Sequence, residues 1–286
     1  MSTGRTGPPH RRPRTGGPQR DPEGCISVPG SSREDRADGS PRRQRPGRVV
    51  VVSGTGTGIG KTIATAAIAS VGVSDGLGVA VVKIAQTGVG PTDEGDAAEV
   101  ERLVGPRRVT AVELCRFAEP LAPATAARRS GAGAPSVAES AEAIRRLADG
   151  HDVVLAEGAG GLLVRLNGAG ETVADLAAAL GAEVLVVTEA GLGTLSATAL
   201  TLEALDARKL RCAGLLLGSW PAAPDLASRC NVVDLRTLGP ADLVGAVPAG
   251  SGGLDRSSFA AAARASVGPE FGGDWNRDRF VVQWEA

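Results

Sequence analysis

The segment Thr55-Gly56-Thr57-Gly58-Ile59-Gly60-Lys61-Thr62 sets small residues, one cation and one hydroxyl in the order needed to hold a chain of phosphates. Small residues let backbone N–H groups converge on an anion, Lys61 adds a point charge, and the Thr62 hydroxyl can ligate Mg²⁺. The loop departs by one residue from the strict G-x-x-x-x-G-K pattern. Counting back from Gly60-Lys61, its first glycine would fall on Thr55, and the glycine present is Gly54. A dinucleotide site is the weaker reading, because the following strand, Gly78–Lys83, ends in lysine rather than in an acid that would hold a ribose. The segment predicts a nucleoside triphosphate site.

Further residues stand where they can serve that site. Glu157 closes an apolar run and precedes Gly158-Ala159-Gly160-Gly161, whose glycines permit close backbone approach to a ligand. An acid in that place can hold Mg²⁺ beside the phosphates, directly or through water. Asp96, in Asp93-Glu94-Gly95-Asp96, opens a helix and alone would be a cap. Beside Lys61, Thr62 and Glu157 it becomes a third Mg²⁺ contact. Lys83 ends an apolar strand, where an ammonium is costly unless it meets an anion or snorkels to water. Thr87 either hydrogen-bonds a substrate or shapes the turn after that strand.

These residues need a scaffold that brings strand ends together. Short apolar runs predict strands at Val49–Ser53, Val79–Lys83, Val153–Glu157, Val184–Thr188, Ala213–Gly218 and Leu243–Val247. Alanine-rich periodic segments predict helices at Lys61–Val71, Asp96–Val104, Ser136–Ala148, Val173–Leu180, Leu195–Ala207 and around Ser257–Ala265. Near-continuous Val/Leu/Ile strands imply burial on both faces, hence an α/β domain with a mostly parallel central sheet flanked by helices. Pro106–Gly133 is less regular and is expected to run over the sheet edge. Ligands in such a sheet sit beyond the carboxyl ends of the strands, where Lys61, Lys83 and Glu157 all fall.

Composition narrows the partners. The 286 residues are 42% hydrophobic, enough for one large domain, here 48–286. Lys plus Arg is 31 against 32 Asp plus Glu, and aromatic residues are 2% with no Tyr. Balanced charge and missing stacking platforms argue against nucleic acid as the main partner. Cys25, Cys115, Cys212 and Cys230 are scattered without a C-x-x-C pair, which fits a reducing cytoplasm. With only His10 and His151, a histidine-based nucleophilic triad is not expected. No apolar run approaches a membrane span, and the twin arginine Arg42-Arg43 precedes only the short run Val49–Val52, a poor export signal. Residues 1–47, rich in Pro, Gly, Ser and Arg with almost no aliphatics, are expected to be disordered: a spacer or a misassigned start, with a basic arm as the alternative.

The ordered series VVSGTGTGIGKT, KIAQTG, EGDAAEVERL, FAEPLAPATAA, AEGAGGLLV and VLVVTEAGLGTLSATALTLEAL resembles the dethiobiotin synthases, a family with a P-loop NTPase-like domain. The likeness runs from about Arg48 to Pro248. It implies an ATP-dependent ligase that closes the ureido ring of dethiobiotin from 7,8-diaminononanoate and CO₂. It also implies a homodimer working on small molecules in the cytoplasm. By the same resemblance Thr55 to Thr62 hold ATP with Lys61 on the phosphates, and Glu157, Gly158 and Gly160 lie beside them. Gly218 and Pro248 fall near the adenine, and Thr62, Asp96 and Glu157 hold Mg²⁺. Lys83 and Thr87 face the diamine and its carbamate. Gly191, Leu192, Gly193, Thr194 and Ser196, at a helix start contributed by the partner subunit, receive the substrate carboxylate.

The sequence departs from the family at three places. Ser196-Ala197 stands where Asn-His is common, Ile84 where a proline usually follows the lysine, and Gly56 and Gly58 where acids are frequent. Competing ATP-dependent classes fit less well. An amidoligase would need a glutamine-hydrolysing domain with a Cys/His pair. A partitioning ATPase would carry an extra lysine within Gly54–Ile59, and a GTPase an Asn-Lys-x-Asp motif; neither is present.

Overall fold

The computed structural model describes residues 46–284; the segment expected to be disordered lies, up to residue 45, outside the described residues. Among the described residues nine strands form in chain order: β1 (Arg48–Gly54), β2 (Val79–Lys83), β3 (Gln86–Thr87), β4 (Thr110–Glu113), β5 (Arg116–Phe117), β6 (Val153–Glu157), β7 (Glu183–Thr188), β8 (Cys212–Trp220) and β9 (Leu243–Pro248). The helices are α1 (Lys61–Ser74), α2 (Asp96–Val104), α3 (Pro123–Ser130), α4 (Val137–Ala148), α5 (Val173–Leu180), α6 (Thr194–Asp206), α7 (Leu226–Asp234), α8 (Arg256–Ser266) and α9 (Arg277–Val282).

Seven strands make one sheet in the order β4-β2-β6-β1-β7-β8-β9, and every pairing in it is parallel. The valine run of β1 explains the layering. Successive side chains of a strand point to opposite faces, so Val50 and Val52 enter one core while Val51 enters the other. The first core packs against Ala64 and Ala67 of α1, Val100 and Leu103 of α2 and Phe259 of α8. The second packs against Ile144 and Leu147 of α4 and Leu176 of α5. With apolar layers on both sides, the central strands read as unbroken Val/Leu runs rather than as alternating ones.

Two of these helices start on capping boxes, Ser136 with Glu139 before α4 and Thr172 with Asp175 before α5. Each box satisfies N–H groups that the helix leaves unpaired. The edge strand β4 and the helices α3, α7 and α9 carry no clear signal in the sequence. The segment from Pro106 to Gly133, expected to be less regular and to run over the sheet edge, supplies the edge strand β4 and also holds β5 and α3. β4 is four residues long, and α3 is eight residues whose apolar content is nearly all alanine, so neither has the periodicity that marks longer elements. Gly47 is already tied in, its N–H donating to the Ala148 carbonyl at 2.8 Å.

Candidate functional site

The order β2-β6-β1 places three adjacent strand ends side by side at the carboxyl edge. β2 pairs with β6 in a register that sets Lys83 opposite Glu157, and β1 pairs with β6 so that Val52 stands opposite Glu157. The loop after β1 then lies directly over Glu157. Its closing turn requires glycine. Gly60 has φ 93°, and a Cβ there would lie 2.2 Å from the Gly218 carbonyl oxygen, while a Cβ on Gly218 would lie 2.0 Å from that of Ile59. Gly60 and Gly218 thus bring the loop backbone against β8 with no side chain between.

Glu157 is the hub of the site. It is 1% exposed; its Oε1 accepts from Thr62 Oγ1 at 2.9 Å and from Lys83 Nζ at 2.7 Å. Lys83 Nζ also meets Asp96 Oδ2 at 2.5 Å and the Gly158 carbonyl at 3.3 Å. Burial alone would lower the Lys83 pKa, but Glu157 and Asp96 outweigh it and hold the ammonium above its ordinary value. Lys61 behaves oppositely. Burial, and then repulsion from Lys83, push it from 10.5 down to about 8, against the weaker pull of Glu157 and Asp96. Its Nζ donates to the Gly56 carbonyl at 2.6 Å. The site therefore contains an under-compensated cation at the loop and a well-compensated one on the sheet.

Asp96 is not a cap in this fold. It is the first residue of α2, its N–H is taken by Gln86 Oε1 at 2.8 Å, and its carboxylate turns to Lys83. Gln86 supplies from β3 the acceptor that an N-cap side chain would otherwise provide, which leaves the Asp96 carboxylate for ionic contacts.

One cavity of about 290 Å³ collects Thr57, Gly58, Gly60, Lys61, Thr62, Lys83, Thr87, Asp96, Glu157 and Gly160, together with Ala85, Gln86 and Ala159. Of the remaining loop residues, Thr55 bonds through its N–H to the Val187 carbonyl, Gly56 accepts from Lys61, and Ile59 is buried in the core. Gly158 contributes its carbonyl to Lys83, and Gly218 supports the loop from beneath. Pro248, at the end of β9, does not line the cavity, and neither do Gly191, Leu192, Gly193, Thr194 or Ser196 at the start of α6. Within that last group Thr194 is 2% exposed, with its hydroxyl turned inward onto the Glu189 carbonyl and Thr188, whereas Leu192 is 87% exposed. Sequence reasoning gave Gln86 no role. Its one signal is a polar side chain within three residues of the end of a buried strand.

The site's donors are two carboxylates and a hydroxyl gathered round one ammonium, beside a glycine loop whose lysine has a lowered pKa. That set suits hard cations and phosphate oxygens. The model of the AAA domain family matches residues 48–252. The ATP-dependent dethiobiotin synthetase BioD of Streptomyces coelicolor is 53% identical, covering 81% of this chain and 97% of its own. That of Saccharopolyspora erythraea is 56% identical over 80% and 99%, and that of Rhodococcus jostii 57% over 75% and 92%. The chain belongs to the dethiobiotin synthetase family. Among solved structures, the cell division ATPase MinD of Pyrococcus furiosus overlays with a TM-score of 0.48 at 19% identity, covering 76% of this chain and 97% of that one, a likeness too loose to bear on chemistry. Membership in the synthetase family rests on sequence spanning nearly the whole length of its members.

Proposed function

We propose that this chain is a Mg·ATP-dependent dethiobiotin synthetase, which joins 7,8-diaminononanoate, CO₂ and ATP to give dethiobiotin, ADP and phosphate. The identity of 53% to 57% with synthetases over 92% to 99% of their length carries the proposal. The geometry of the cavity supports it. One amine of the diamine forms a carbamate, the carbamate oxygen attacks the γ-phosphoryl group, and the second amine closes the ring as phosphate leaves. The carbamate and the γ-phosphoryl group it attacks are both anionic, so the protein's task is placement and charge compensation rather than nucleophilic attack.

Thr55 to Thr62 cradle the triphosphate, and a phosphate beside Lys61 supplies the counter-charge that this depressed lysine lacks. Gly158 and Gly160 edge the phosphates, and Gly218 and Pro248 lie toward the adenine. Lys83 faces the carbamate and the transferring phosphoryl, with Thr87 on the diamine side. Among the described residues no three His, Cys, Asp or Glu side chains cluster for a metal. Thr62, Asp96 and Glu157 offer instead the few oxygen donors that Mg²⁺ takes from protein when phosphates and water supply the rest. When bound there, Mg²⁺ would neutralise charge across the phosphates.

The α6 start does not line this chain's cavity, and Leu192 and Leu200 near it are 87% and 62% exposed. A second copy packing over these leucines would cover them and bring Gly191–Ser196 to its partner's site as the receptor for the substrate carboxylate, in an isologous dimer. No described helix is long and apolar enough to cross a membrane. The reading places the enzyme in the cytoplasm, where the thiols of Cys212 and Cys230 stay reduced. The test is dethiobiotin formation from labelled bicarbonate with diamine and ATP present. Lys61→Ala should lower that rate at least ~100-fold with an unchanged circular dichroism spectrum. No product from the wild-type chain, or full activity in the variant, would overturn the assignment.

A further inference from the structure

Asp96 stands at the end of a loop, Gly90–Gly95, with no regular structure of its own. A buried ion pair holds that loop. Arg116 and Glu113 are 9% and 6% exposed, and the guanidinium grips the carboxylate through two bonds, Nε to Oε2 at 2.8 Å and Nη2 to Oε1 at 2.7 Å. Its remaining nitrogen, Nη1, donates to the carbonyls of Gly90 and Asp93, both at 2.8 Å. The clamp is fastened to the sheet, since Glu113 ends β4 opposite Lys83 of β2. On its other side it packs under Gly95. A Cβ on Gly95 would lie 2.5 Å from Glu113 Oε1, 2.7 Å from Arg116 Nη2 and 3.0 Å from Gln86 Oε1. Gln86 in turn accepts the Asp96 N–H.

The geometry points to Arg116 as a positioning residue for Asp96. It gathers the loop carbonyls onto a pair anchored beside Lys83 and so fixes where the Asp96 carboxylate stands. This role rests on the proposed assignment of Asp96 to the divalent cation. The physical case is independent of overall stability. Replacing a buried pair by apolar groups can be neutral for folding, but no apolar side chain can bind two loop carbonyls and a carboxylate at once. Lysine cannot do so either, because a single ammonium lacks the planar fork.

The experiment measures Mn²⁺ binding by the full chain with a non-hydrolysable ATP analogue, reading free ion by electron paramagnetic resonance, with melting temperatures alongside. Loss of an outer support typically weakens metal binding 10- to 100-fold. Arg116→Met should raise the Mn²⁺ midpoint about 10-fold, Arg116→Lys should do the same, and Asp96→Asn should raise it at least as far. The double variant Arg116→Met with Asp96→Asn should be no worse than Asp96→Asn alone, because both changes act through one carboxylate. Gly95→Ala pushes into the clamp from the loop side and should shift the midpoint likewise, which decides the matter if the Arg116 variants do not fold. A lowered melting temperature with an unmoved Mn²⁺ midpoint in Arg116→Met would overturn the inference, as would restoration of the wild-type midpoint by Arg116→Lys or multiplication of the two shifts in the double variant. An unmoved midpoint in Asp96→Asn would instead remove the cation assignment of Asp96, and the clamp's role with it.

Discussion

Replacing Lys83 by methionine tests the ionic hub most directly. The Lys83 side chain is 7% exposed and that of Glu157 2%, with 2.7 Å between their charged atoms. In Lys83→Met the Glu157 carboxylate keeps the Thr62 hydroxyl at 2.9 Å but loses its cation. Breaking one side of a buried pair costs about 3–5 kcal/mol. The retained hydroxyl and the one-third exposure of Asp96, which can rehydrate, put the cost at the lower end, ~3 kcal/mol. For a chain of this size each kcal/mol moves the melting temperature by about 2–4 °C, so the variant should melt about 6–12 °C lower in EDTA. Magnesium should then reverse the order of sensitivity. In the variant a divalent cation can take the place of the ammonium among the same oxygens and stabilise by mass action. In the wild type it must first displace Lys83. Thermal melts of both proteins with EDTA and with millimolar MgCl₂, no nucleotide present, measure both effects. An unchanged melting temperature in EDTA, or equal stabilisation of both proteins by Mg²⁺, would refute the shared cation position.

Three other expectations are accessible to simple assays. Lys61 titrates at about 8 in the folded protein against 10.5 as its ordinary value. In that window the unfolded chain binds the extra proton, so stability rises with pH, by at most about 3 kcal/mol. Urea unfolding from about pH 8 to pH 10 should show the rise in wild type and not in Lys61→Met; a flat wild-type profile would contradict the buried charge. Gly218→Ala places a Cβ 2.0 Å from the Ile59 carbonyl, an overpacking worth about 1–3 kcal/mol. It should raise the KM for ATP roughly tenfold by displacing the phosphate loop, and normal kinetics would show that the close approach is immaterial. Leu192→Asp should convert a dimer to monomer in sedimentation velocity and raise the KM for the diamine; a wild-type sedimentation coefficient would exclude this helix start from the interface.

Much of the chemistry is legible along the chain because it is local. A phosphate loop is a run of consecutive residues between a strand and a helix, and its glycines and Lys61-Thr62 announce it without tertiary information. Central strands are equally plain, since burial on both faces writes itself as valine and leucine. The edge of the sheet is not: β4 has one neighbour and few apolar residues, and α3 and α9 are too short to show a period.

What the chain order could not settle is which distant ends meet. The role of Asp96 depended on a partner ten residues upstream, Gln86, that takes its N–H and leaves the carboxylate free to reach Lys83. The difference between the two lysines is likewise tertiary. Lys61 opens α1 and Lys83 ends β2, yet one is depressed by burial and repulsion while the other is held charged by Glu157, set opposite it by the β2-β6 register, and by Asp96 from the start of α2. Desolvation and Coulomb energies depend on burial and distance, and both quantities exist only once the sheet has closed its strands in order.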